Sequence, residues 1–300
     1  MKVTKTMLRI AFWYIGKQFQ KHYKDLPLPD FSRAKIDIKC DDSSLFEQSY
    51  DVYFPEKPNG ITILDIHGGA YIYSTRKNNL AFARYLLDKG FAVVLLDYRL
   101  NKGKLDPHDQ VKDLAVEIRH FFDHIDEYGL DKDKVVLTGD SAGGHLALLL
   151  GEMICDPEVA KPFGVDLSDI HIQAVALNSP VFDFVSVGQG DQLSKSGKKY
   201  MVGKRYDDVA YLSLVDPKIH FSSLSVPLFC STCKNDFIRV HSLDLKETSE
   251  SKGIPLRFID IYKDDPKTDH IHNVTKPYTE DSETVNQAMV EFFLTNIEKK

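Results

Sequence analysis

The chain has 300 residues, 43% of them hydrophobic and 27% charged, with a formal net charge of −6. That composition is ordinary for a globular protein with one large core. It excludes nucleic acid as a partner, because binding there needs a concentrated basic face. Four cysteines (Cys40, Cys155, Cys230 and Cys233) without a recognisable secretory signal point to free thiols in a reducing, cytoplasmic setting.

Residues 7–16 are apolar but too short to span a bilayer. The charged stretch behind them offers no small-residue cleavage site. Leu8, Ala11, Phe12, Ile15 and Phe19 recur at helical spacing, which predicts an amphipathic helix. Such a helix covers a pocket mouth or, as the second choice, lies on a membrane surface; stable insertion is not expected.

Two alternating runs, 34–40 and 47–54, predict antiparallel strands joined by a turn near 41–44. The spacing then predicts a buried strand over 61–66, a helix over 79–89 closed by Gly90, and a strand over 91–97. Pro107 opens a long helix through about residue 128, which Gly129 stops. A strand from Val135 and a helix to about 154 follow, then a strand over 172–177. Residues 182–220 read as an insertion of polar loops and scattered aromatics. Strands over 227–232 and 256–262 and helices over 239–251 and 283–296 complete the chain. This alternation predicts an α/β fold with a mostly parallel sheet covered by helices on both faces.

The chemistry centres on VVLTGDSAGGHLALLL, residues 135–150. A buried strand, a tight turn of pattern G-x-S-x-G and a helix make a nucleophile elbow with Ser141 at its corner. Gly139 and Gly143 lack the Cβ atoms that would clash in so sharp a turn. The helix N-terminus favours negative charge near the hydroxyl. An elbow serine needs a base, a group that orients the base, and oxyanion donors. His67-Gly68-Gly69-Ala70 follows an upstream strand, so the expected donors are the N–H groups of Gly68, Gly69 and Ala142. Asp236, after the strand over 227–232, is the expected acid, with Asp183 as runner-up. The base belongs in the loop after the last strand, where His270 and His272 compete and the residues alone do not choose. Cys230-x-x-Cys233 lies partly within a strand and reads as buried structural thiols. No Walker loop, HExxH or strand-linked dinucleotide fingerprint is present, so neither cofactor nor metal is expected.

HGGAYIYS (67–74), DYRL (97–100), GDSAGGHLALLL (139–150), KNDF (234–237) and HIHNV (270–274) together resemble the hormone-sensitive-lipase-like esterases of the α/β-hydrolase fold. Bacterial acetyl esterases and small carboxylesterases are the members closest in look. The resemblance spans about residues 34–299. It implies Ser141 as nucleophile and Asp236 as acid, and it selects His270 over His272 as base, since the family's loop often reads H-x-F-N. It also implies a lid built from residues 1–30 and 182–220 over a core of 31–181 and 221–300. The sequence departs from the family at Ala70, where a third glycine usually stands, and after DYRL, where the proline-rich continuation is missing. The expected activity is hydrolysis of small carboxylic esters, short in the acyl chain by resemblance alone. The rivals are an amidase, formamidase or peptidase on the same triad, and a non-catalytic binding protein on a hydrolase scaffold. The expected partner is a small-molecule ester; a homodimer is left open.

Overall fold

A computed structural model describes residues 26–40, 48–187 and 195–297. The expected helix over 8–19 and the turn near 41–44 lie outside the described residues. Eight strands form one sheet: β1 (Ala34–Lys39), β2 (Ser49–Tyr53), β3 (Thr62–Ile66), β4 (Ala92–Leu96), β5 (Val135–Asp140), β6 (Val175–Asn178), β7 (Leu228–Cys233) and β8 (Leu256–Ile261). Their spatial order is β1-β2-β4-β3-β5-β6-β7-β8. β2 runs antiparallel to both neighbours, and from β4 to β8 every pairing is parallel. The α/β class and the mostly parallel sheet follow as the alternation of elements required.

The central strands are apolar on both faces because both faces are covered. Leu64, Val94 and Leu137 point to one core, against α2 (Pro107–Asp123) and α3 (Ala142–Cys155). Ile63, Val93 and Val136 point to the other, against α1 (Leu80–Asp88) and α7 (Glu280–Ile297). α4 (Lys195–Val202), α5 (Val209–Leu214) and α6 (Arg239–Lys252) also pack on the first core, through Met201, Leu212 and Leu245. α2 is shorter than the spacing predicts. It ends at Asp123, and Ile125–Tyr128 tightens into a 3₁₀ turn that buries Ile125; Gly129, at φ +67°, closes that turn rather than the α-helix.

β1 and β8 are the sheet's margins. β1 carries a register shift between Lys35 and Ile38, with Asp37 at φ 55°. The Asp37 N–H bonds the Asp51 carboxylate instead of the ladder. The parallel strands all deliver their carboxyl ends to one edge of the sheet, where the loops after β3, β5, β7 and β8 meet. A bridge between Asn235 and Asp269 ties the last two of those loops together.

Candidate active site

The turn from β5 into α3 is as cramped as its glycines imply. A Cβ on Gly139 would lie 2.4 Å from the Gly143 carbonyl oxygen, and one on Gly143 would lie 2.1 Å from that of Ile66. Ser141 itself sits at φ 54°, ψ −117°, a strained conformation for a residue with a side chain. Backbone bonds lock it there: its N–H donates to the Asn178 carbonyl at 2.9 Å, and its carbonyl accepts from His145 and Val181.

His270 reaches this hydroxyl from the loop after β8. Its Nε2 lies 2.9 Å from Ser141 Oγ, and its Nδ1 lies 2.7 Å from Asp236 Oδ1. Asp236 follows β7 and is buried. Its carboxylate also accepts from Thr232 Oγ1 and the Ile238 N–H. Burial pushes its pKa up, but the neighbouring His270 and bonds from the Ile238 N–H and Ser179 outweigh burial and hold it below the ordinary carboxylate value. His272 points elsewhere. Ile271 between the two histidines takes a left-handed conformation, φ 53°, so His272 turns into the core and bonds Ser282 Oγ. Burial lowers its pKa to about 4, which keeps it neutral. Asp183 has other partners: it accepts from Ser186 N–H and pairs with Lys218, while His270 Nδ1 is taken by Asp236.

The loop after β3 corrects one expectation. The Gly68 N–H is already engaged, donating to Asp140 Oδ2 at 3.0 Å. The N–H groups of Gly69, Ala70 and Ala142 donate no hydrogen bond among the described residues. The expected set therefore holds one engaged N–H, that of Gly68, and the unengaged N–H groups of this loop are those of Gly69 and Ala70. The loop needs its glycine at 69, where φ is +118° and a Cβ would meet the Tyr73 carbonyl oxygen at 2.0 Å. Ala70 and Tyr71 continue at positive φ. His67 braces the loop from beneath. It stacks on Tyr98, its Nδ1 bonds the Gly68 carbonyl at 2.6 Å, and its Nε2 meets Asp97 at 2.9 Å. Burial disfavours a charged imidazole, but Asp97 outweighs that and raises the His67 pKa. Asp97 in turn pairs with the fully buried Arg76, which also holds Asp51 and Asp37.

Several supporting residues escaped the sequence. Asn178 Oδ1 accepts from Asn273 Nδ2 at 2.7 Å and Ser231 Oγ at 3.0 Å, so one buried amide joins the serine's turn to the histidine's loop. The only visible trace of this was polar residues at strand ends, in NSP and HNV.

These groups open into a cavity of about 380 Å³. Tyr71, Val181, Met201, Phe237, Ile238 and Ile271 give it apolar walls, and among the described residues no lysine or arginine lines it. Phe237 lies against the His270 ring, 4.4 Å between centroids. The aromatics of the insertion pack instead of lining: Phe182 meets Phe221, and Phe184 packs against both Tyr71 and His145. Met201 on α4 reaches the cavity, pinned through its carbonyl by Asn101 Nδ2 at 2.8 Å. Cys230 and Cys233 are free buried thiols, each pushed up to about 12 by burial.

A family model, BD-FAE, matches residues 50–246. The chain belongs to the BD-FAE family. This BD-FAE chain is 28% identical over 178 residues to the probable carboxylic ester hydrolase LipM of Mycobacterium tuberculosis, covering 58% of itself and 41% of LipM. It is 33% identical over 98 residues to the acetyl esterase of Salmonella paratyphi B, covering 32% of itself and 30% of that protein. The matches thus span less than half the length of these curated relatives. In fold it is similar to esterase B of Lactobacillus rhamnosis, with a TM-score of 0.88 at 24% identity over 98% of this chain and 95% of that one. EstE1, a carboxylesterase from a metagenomic library, superposes with a TM-score of 0.74 at 18% identity over 99% of both chains. The α/β-hydrolase architecture expected from the motifs is thereby shown. No helix among the described residues is long and apolar enough to cross a membrane.

Proposed function

We propose that this BD-FAE chain is a serine carboxylesterase that cleaves small neutral esters through an acyl-enzyme. The observation that carries the reading is one imidazole bonded to both Ser141 Oγ and Asp236, beside three unengaged N–H groups. Ser141 Oγ attacks the acyl carbon and its proton passes to His270 Nε2. Asp236 holds the ring with Nδ1–H toward itself and stabilises the imidazolium. The N–H groups of Gly69, Ala70 and Ala142 receive the oxyanion, where each donor is worth about 10²–10³ in rate. His270 then protonates the departing alcohol. A water molecule repeats the sequence on the acyl-enzyme and frees the acid.

The names of the relatives, an ester hydrolase and an acetyl esterase, support the bond type. The cavity supports a short acyl group: at about 380 Å³ it must hold acyl and alcohol parts together, and it sits near the lower end of ligand sites. The similar esterase B is inhibited by a tributyrin phosphonate, which makes short glycerides sensible test substrates. In this reading α4 and the rest of 182–220 act as the lid. The test is a fluorophosphonate probe with p-nitrophenyl esters from acetate to octanoate and matching anilides. Labelling at Ser141, rates falling with acyl length and slow anilides support the proposal. Undiminished turnover by Ser141→Ala would overturn it.

A further inference from the structure

Beneath the oxyanion loop lie two carboxylates that the reaction does not use. Asp65 is on β3 and Asp140 ends β5; both are buried, at 2% exposure each. Asn79 stands between them. Its Nδ2 donates to Asp65 Oδ2 at 2.8 Å and to Asp140 Oδ1 at 2.9 Å. Although Asn79 is the residue just before α1, its side chain makes no capping bond to that helix. Both amide hydrogens are given to the two acids. Asp140 Oδ2 then takes the Gly68 N–H, one residue before the first free oxyanion donor. The connection runs from Asp65 through Asn79 and Asp140 to Gly68, and Asp140 is also the residue next to Ser141.

We propose that Asn79 and Asp65 are positioning residues: Asn79 clamps Asp140 so that Gly68, and with it the Gly69 and Ala70 donors, are aimed at Ser141, and the clamp closes only while Asp65 is protonated. This inference rests on the hydrolase reading above.

The electrostatics favour one proton shared out to Asp65. One amide cannot neutralise two anions in a dry interior, so two adjacent buried carboxylates do not both ionise at neutral pH. Burial and the charge of Asp140 push Asp65 up to about 8. Burial also holds Asp140 above the ordinary carboxylate value, although Asn79, His67, the Gly68 N–H and His270 offset part of that and favour its charged form. The groups facing Asp65 are thus Asp140 and Asn79 from other elements and His67 from the loop that follows its own strand. Above pH 8 the second carboxylate ionises, repels Asp140 and frees Gly68. A misplacement of about 1 Å at the donors costs on the order of 10² in rate.

The test is kcat and KM for 1-naphthyl acetate from pH 5.5 to 10, blank-corrected, with circular dichroism at each pH. Wild type should lose kcat above about pH 8 with its fold intact, and KM should change little. Asp65→Asn, which cannot ionise, should keep neutral-pH activity and move that limb up by at least about one pH unit. Should that variant not fold, Asp65→Ser makes the same comparison. Asn79→Ala should lower kcat by about 10–100-fold with KM nearly unchanged. A wild-type kcat flat to pH 9.5, or a non-ionisable variant with the wild-type limb, overturns the inference. Fluorophosphonate labelling of wild type runs alongside: a labelled Ser141 with an unmoved limb sinks only this inference, whereas no label and no turnover sinks the hydrolase reading with it.

Discussion

Gly143→Ala tests how tightly the nucleophile is coupled to the oxyanion loop. Gly143 is the second residue of α3, two after Ser141, and its φ is not in the left-handed region, so an alanine there meets no backbone strain. What it meets is backbone: its Cβ would lie 2.1 Å from the Ile66 oxygen and 2.5 Å from the His67 oxygen. Opening the closer contact to 3.0 Å requires α3 or the end of β3 to move by about 0.9 Å. Overpacking of that kind costs about 1–3 kcal/mol of stability. The larger consequence is kinetic. β3 leads directly into Gly68–Ala70, so the same movement separates the donors from Ser141, and about 1 Å of misplacement costs on the order of 10² in rate. Gly164→Ala is the control: its φ is +68° and nothing lies within 4 Å. It should lose about 1–2 kcal/mol to backbone strain and keep kcat. Urea denaturation supplies the stabilities, and p-nitrophenyl acetate turnover supplies the rates. A Gly143→Ala enzyme with kcat within about twofold of wild type would refute the coupling.

Arg76→Met leaves Asp51 and Asp97 buried without their cation, and breaking a buried pair in this way costs about 3–5 kcal/mol. Thermal unfolding should show a midpoint lower by roughly 5–8 °C, and an unchanged midpoint contradicts the bracing role. His270→Ala should cut kcat by at least about 10³-fold while His272→Ala leaves most of it; the same esterase assay reads both, and a reversed order exchanges the two histidines. With Cys230 and Cys233 raised to about 12 and buried, a disulfide reagent at pH 8 should react at Cys40 and Cys155 in the native protein. Peptide mapping that finds Cys230 modified at the same rate contradicts the thiol assignment.

The elbow was legible because three independent signals coincide in sixteen residues: a β-branched run, glycines at fixed offsets and a helix-forming stretch. Asp236 was legible as the candidate acid because it follows a clear strand, and it lies within a hydrogen bond of His270. The oxyanion loop was legible in place but not in detail. Nothing local marks Gly68 as engaged, since its partner Asp140 is 72 residues away in sequence. The two histidines could not be separated by residue type, because the left-handed Ile271 that turns them apart is an unfavourable conformation for a β-branched side chain. The bond between Asn178 and Asn273 stayed hidden for the same reason as Gly68: its two amides are 95 residues apart in sequence, and nothing local marks either as the other's partner.

The two outer strands of the sheet have a consequence for the protein in crowded solution. An unpaired strand is a template onto which a second molecule can add its own backbone. Here β1 presents Lys35, Asp37 and Lys39 along a kinked rim, and β8 presents Arg257 and Asp260, paired to Glu291 and Arg239. Continuing the sheet past either rim would strip water from those charges or break their pairs. Among the described residues, these charges discourage growth into fibrils at both borders.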